Sequence, residues 1–152
     1  MERRVVITGM GAITPIGNNI AEFWDGLKNG KNGINLITRF DTAESKVKCA
    51  GEVKNFDPTT VVDKKEVKRN DLFSIYAMAA ADEAVEMSGI DLESIDRERL
   101  GVIIGSGIGG LCTIEEQAGK MTTKGMSRIA PLFIPMAISN MAAGNVAIRF
   151  GA

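Results

Sequence analysis

Two apolar runs, each closed by glycine, constrain this chain more than any other feature. Arg3–Gly9 reads RRVVITG and Leu100–Gly107 reads LGVIIGSG. Neither alternates apolar with polar residues, so neither suits a strand with one face in water. Continuous Val/Ile runs of this kind fit strands buried on both faces, the habit of parallel sheets. Helical patterns lie between and after them, and strands alternating with helices imply an α/β fold with a parallel sheet.

The helical patterns carry their own punctuation. Asn18 or Asn19 is placed to cap a helix in which Ile20, Phe23, Trp24 and Leu27 fall at i, i+3, i+4 and i+7, with Gly30 or Gly33 as its stop. The spacing predicts a second helix over Asp71–Gly89, capped by Asp71, stopped by Gly89, and apolar nearly all round in its first half. Leu111–Met121 reads as a third helix. Pro135–Gly151 reads as a fourth, opened by proline and closed by glycine. Residues 34–70 are polar and irregular, with a short strand expected near Lys48–Val53, and read as an excursion within one domain. Three helices with broad apolar faces present more apolar surface than two strong strands can cover, so the chain reads as part of something larger.

Composition narrows the classes of function. Apolar residues make up 45% of the 152, which favours a folded core. Eighteen basic against 19 acidic residues leave a net charge of −1, so no global basic field exists to hold nucleic acid. No apolar run approaches a membrane span. Gly9, Gly11 and Pro15 interrupt the run that follows Arg3 and Arg4, which spoils a signal-peptide core. Cys49 and Cys112 are too few for a disulfide framework or a zinc site, and the cytoplasm is the natural compartment. Cys112 opens a helix beside a glycine turn, yet without a neighbouring base it reads as a small core residue. The sequence contains no histidine, so histidine-based nucleophilic or metal chemistry is excluded within these residues.

The glycines of the second run pose a sharper question. Gly105, Gly107 and Gly110 satisfy G-x-G-x-x-G, the dinucleotide-binding pattern. That pattern also wants an acidic residue closing a further strand about 20 residues on. Lys124–Phe133 has neither the acid nor an apolar strand before it. On the residues alone, glycines that permit close packing or positive φ are the leading reading.

Three stretches in order, Arg3–Asn18 (RRVVITGMGAITPIGN), Gly101–Leu111 (GVIIGSGIGGL) and Pro131–Gly151 (PLFIPMAISNMAAGNVAIRFG), resemble the N-terminal part of the β-ketoacyl-acyl carrier protein synthases. The GIGG form at Gly107–Gly110 is closer to type II than to type I. The resemblance implies an incomplete N-terminal half of a thiolase-like, layered α-β-α-β-α fold. Residues 1–152 would form the first part of the family's N-terminal domain. It implies decarboxylative Claisen condensation of an acyl thioester with malonyl-acyl carrier protein in fatty acid biosynthesis, by a cytoplasmic homodimer that needs no cofactor and no metal. The catalytic cysteine and both histidines are expected beyond residue 152, so no catalytic residue falls in this stretch and the stretch by itself should condense nothing. Gly107 and Ile108 match positions lining the acyl pocket. Phe133 and Ile134 match positions reaching across the dimer into the partner's pocket. Lys65, Lys68, Arg69 and Arg128 match basic positions facing acyl carrier protein. Without the resemblance, the segment around Lys65 is a solvated helix end and PLFIP is a buried loop. A type I synthase, a noncatalytic chain-length-factor-like relative and a small nucleotide-binding or protein-interaction module remain as alternatives.

Overall fold

The structure, a computed structural model, describes residues 3–152. The chain divides into two compact units, Met1–Phe56 with Ala79–Gly89, and Asp57–Met78 with Ile90–Ala152. Among the described residues the helices of four residues or more are α1 (Ile20–Lys28), α2 (Lys64–Val67), α3 (Leu72–Ser88), α4 (Leu111–Lys124), α5 (Phe133–Ala137) and α6 (Met141–Phe150). Helix α3 contributes its first part to one unit and its second part to the other.

In the first unit, α1 starts where the asparagines predict. The Asn19 side chain accepts the Glu22 N–H at 2.8 Å, and the Glu22 carboxylate accepts the Asn18 N–H at 2.8 Å. Gly30, at φ +62°, follows the helix end. The Glu83 carboxylate on α3 accepts the Ile20 N–H at 2.7 Å and the Ala12 N–H at 3.0 Å, which holds the glycine-rich loop to the helix. A Cβ at Gly9 would collide with the Ala84 carbonyl, and one at Gly11 with the Ala80 carbonyl, one helical turn away. The apolar stripe of α1 is only partly covered: Ile20 and Phe23 are half-buried, but Trp24 and Leu27 are exposed.

The excursion after α1 holds an antiparallel pair, β1 (Ile34–Leu36) and β2 (Cys49–Gly51), in the register Ile34↔Gly51 and Leu36↔Cys49. β2 falls where a strand is expected. The Glu52 carboxylate then accepts the Thr38 hydroxyl at 2.7 Å and the Thr38 and Arg39 N–H groups at 3.1 Å each. The Thr38 hydroxyl above all, helped by those two amides and by Lys54, holds the Glu52 carboxyl below its ordinary value against the opposing effect of burial. A carboxylate with a depressed folded pKa stabilises above its unfolded pKa, and that stabilisation disappears as pH falls through the folded value. Glu52→Gln is therefore expected to lower the melting temperature at neutral pH, with the gap to wild type closing below about pH 4. Melting curves across that range are the check; a gap independent of pH would count against it.

In the second unit, Ile75, Met78, Ala137, Ala142 and Val146 are buried together with the polar Ser74, Thr113 and Gln117. The buried start of α3 agrees with its all-round apolar pattern. Asp71 accepts the Phe73 N–H at 3.3 Å, and Gly89 sits at φ +64° just past the far end of the helix. Asn145 on α6 donates to Asn70 at 2.7 Å, and Arg149 donates to the Val61 carbonyl at 3.1 Å. Gly151, at φ +67°, closes α6.

Two expectations are corrected. The predicted helix over Pro135–Gly151 is two helices, broken at Ile138–Asn140. The Ala137 carbonyl, which would accept from Met141 in a continuous helix, instead accepts the Gly110 N–H at 2.9 Å. The two apolar runs also form no strand among the described residues, where β1–β2 is the sheet present. A parallel strand exists only through hydrogen bonds to a neighbour, and neither run forms such a ladder among the described residues. Val5 is 92% exposed, Ile7 83% and Ile103 99%. The chain by itself is accordingly expected to bind an apolar-surface dye and to associate in solution. A monodisperse 16.3 kDa monomer with a cooperative melt would refute this.

Candidate functional site

The glycine turn is held from several sides. Within it, Gly109 donates to the Ser106 hydroxyl oxygen at 3.1 Å. Gly109 adopts φ +83°, and a Cβ there would collide with the Ala137 carbonyl and lie 2.9 Å from the Ser139 nitrogen. At Gly110 a Cβ would meet the Met136 carbonyl at 2.6 Å and the Asp71 carboxylate at 2.9 Å. Only glycine fits these two positions, one for its backbone angle and both for the close approach. Gly105 and Gly107 differ, since a Cβ at either meets nothing within 4 Å.

Gly110 caps α4 and has no side chain with which to do so. Asp71, the residue just before α3, supplies the missing oxygen. It accepts the Thr113 N–H at 3.0 Å and the Thr113 hydroxyl at 2.7 Å. This decides the question raised by the glycine pattern. A dinucleotide turn offers its helix N-terminus to a pyrophosphate, but here a carboxylate already stands at that end and would repel one.

The expected acyl-site residues lie on the two segments joined by the Gly110–Ala137 hydrogen bond. Ile108 is 61% exposed in the turn, beside an exposed Gly107. Phe133 is half-buried at the start of α5, and Ile134 is 58% exposed. Gln117, buried on α4, accepts the Ala130 N–H at 2.8 Å and so fixes the approach to α5. No spacing rule marks Gln117 or the second role of Asp71 in the sequence; both emerge only from contacts between elements.

The basic positions are all exposed. Lys65 lies on α2, Lys68 caps its end and Arg69 follows, while Arg128 lies on a short 3₁₀ turn, Met126–Arg128. Arg69 pairs with Glu66 at 3.1 Å, whereas Lys65 and Lys68 form no such pair among the described residues. Asp63 caps α2 through the Lys65 and Glu66 amides at 2.8 Å each. Those bonds, Glu66 first, hold its carboxyl below the ordinary value. A cleft of about 410 Å³ runs beside this segment, lined among others by Lys68, Asp71, Cys112, Glu116 and Met136. Cys112 is therefore exposed and lines a cleft, not the small core residue the sequence suggests, because α4 turns its position outward. Cys49 is exposed as well. No cluster of metal-ligating side chains occurs among the described residues, and none of their helices is long and apolar enough to cross a membrane.

The family described as β-ketoacyl synthase, N-terminal domain, matches residues 2–152. The chain belongs to the β-ketoacyl synthase family. A 3-oxoacyl-[acyl-carrier-protein] synthase 2 of Synechocystis sp. is 46% identical over 151 residues, covering 99% of this chain and 36% of that protein. The enzyme of the same name from Staphylococcus aureus strain COL is 48% identical over 150 residues, again covering 99% and 36%. The chain thus spans about a third of the length of the curated relatives it matches. Among solved structures, the ishigamide ketosynthase/chain length factor superposes with a TM-score of 0.81 at 27% identity, over 99% of this chain and 38% of that one. A β-ketoacyl synthase from Burkholderia phymatum gives 0.79 at 27% identity, over 98% and 37%. A type II PKS acyl-carrier protein complex with its ketosynthase, bound to the hexaketide, gives 0.80 at 22% identity, over 99% and 39%, a likeness of fold. The expected fold class holds: this is the N-terminal part of a thiolase-like ketosynthase fold.

Proposed function

We propose that this chain is part of a 3-oxoacyl-acyl carrier protein synthase of fatty acid biosynthesis. The full-length protein is an acyltransferase that condenses an acyl thioester with malonyl-acyl carrier protein and releases CO₂. The observation carrying this reading is the 46% identity to a synthase 2 along 99% of the chain. The nucleophilic cysteine and the two histidines that assist decarboxylation belong to the longer protein, in keeping with the absence of histidine here. That protein works in the cytoplasm as a homodimer.

In this reading the chain contributes binding surfaces and no chemistry. Gly107 and Ile108 bound the acyl channel. Phe133 and Ile134 enter the partner subunit's channel, and the exposure of Ile134 supports that role. Lys65, Lys68, Arg69 and Arg128 receive the acidic carrier protein. The deciding experiment is condensation by the purified full-length protein with acyl- and malonyl-carrier protein. Formation of the 3-oxoacyl product with CO₂ release supports the reading. Its absence, with the fold intact, would favour a noncatalytic chain-length-factor-like relative.

Charge reversal tests the docking surface. Rim charges act mainly on association and its salt dependence. Lys65→Glu or Lys68→Glu in the full-length protein is expected to lower kcat/KM for carrier-linked substrate about tenfold, about 1.4 kcal/mol, and to leave a small thioester substrate unchanged. Arg69→Glu also breaks the pair with Glu66, so its effect is less clean. Equal losses on both substrates would show a structural role instead.

A further inference from the structure

We infer that Asp71 is a positioning residue for the turn that bounds the acyl channel, and so a determinant of chain-length selection. The inference rests on the assignment of Gly107 and Ile108 to that channel. The turn ends at Gly110, where a side chain is excluded by the Met136 carbonyl and by Asp71 itself. Helix α4 must therefore be capped from elsewhere. Asp71, just before α3, does this through the N–H and hydroxyl of Thr113, at 3.0 and 2.7 Å. Thr113 is buried, 4% exposed, so both bonds are shielded from competing water. The other Asp71 oxygen accepts the Phe73 N–H of α3. One carboxylate thus ties the starts of two helices together, and its negative charge stands at the N-terminus of each.

The geometry explains why the carboxylate is needed. Both oxygens accept, and three donors converge on them. An asparagine offers one accepting oxygen and turns an N–H₂ towards donors, so at least one bond becomes a repulsion. On the other side the turn is held by the Gly110–Ala137 bond and by the tight seat of Gly109. Releasing the Asp71 side frees the turn to shift while the second anchor keeps it folded. Ile108, two residues before Gly110, then bounds the channel less sharply.

The experiment uses the full-length protein, wild type and Asp71→Asn, with two readouts. The first is hydrogen exchange, in which the amides of 107–113 are expected to exchange about tenfold faster or more in the variant. Residues 20–28 serve as the unchanged control. The second is turnover across acyl chain lengths, in which the long-to-short ratio is expected to change about tenfold, about 1.4 kcal/mol. Thr113→Val, which removes only the hydroxyl bond, is expected to move both readouts in the same direction by less. It carries the test if Asp71→Asn does not fold. Unchanged exchange in 107–113 overturns the positioning role. Faster exchange with a uniform loss at every chain length overturns the role in selection. A wild-type protein inactive at every length overturns the synthase reading and the selection role with it, whereas an active wild type with an unchanged ratio in the variant overturns only the latter.

Discussion

Gly11→Val in the full-length protein is expected to abolish soluble expression. A Cβ at Gly11 would overlap the Ala80 carbonyl oxygen and lie 2.8 Å from its carbon. The obstacle is helix backbone, which cannot rotate aside as a side chain can. A Cβ at Gly9 would overlap the Ala84 carbonyl of the same helix and lie 2.9 Å from the Ser88 nitrogen, so the segment is seated at two points and cannot tilt away. Overpacking a single site costs about 1–3 kcal/mol. A β-branched residue against fixed backbone belongs at or above the top of that range, a large share of the roughly 5–15 kcal/mol that separates folded from unfolded states. Gly11→Ala should be the milder form, soluble but with a melting temperature below that of wild type. Gly119→Ala is the control. It lies within α4, a Cβ there meets nothing within 4 Å, and it should be neutral or stabilising by about 0.5–1 kcal/mol. Soluble yield and melting temperature decide the matter, and an unaltered Gly11→Val protein would disprove the close approach.

On the proposed assignment of Ile108 to the acyl channel, Ile108→Phe in the full-length protein should block long acyl chains and spare short ones. The turn is pinned at Gly109 and Gly110, so it cannot retreat to make room for a ring. Space next to Gly107 is open, which leaves the ring the substrate's side to occupy. Each methylene excluded from the channel forfeits about 0.8 kcal/mol of burial. Steric overlap adds about 1–3 kcal/mol. About 1.4 kcal/mol is a factor of ten in rate, so long-chain turnover should fall at least that far. The measurement is the chain-length profile of variant and wild type. A uniform drop would indicate damage to the turn itself, and an unchanged profile would remove Ile108 from the channel.

Local chemistry was enough for the elements whose signals lie within a few residues. The Asn19 cap, the positive-φ stops at Gly30, Gly89 and Gly151, and the buried first half of α3 all stand where side-chain type and spacing place them. Three motifs in register were enough for the family. Sequence did not reveal what depends on a partner distant along the chain. The two apolar runs have the composition of buried strands, but a strand exists only through hydrogen bonds to a neighbour, and composition cannot say whether that neighbour is present. Pro135–Gly151 has the pattern of one helix, yet a single carbonyl, Ala137, is diverted to Gly110 and divides it. Asp71 reads as an ordinary cap for its own helix. Its second role, 42 residues away at Thr113, follows from the steric exclusion of any side chain at Gly110, which only the packing of α3, α4 and the α5–α6 junction creates.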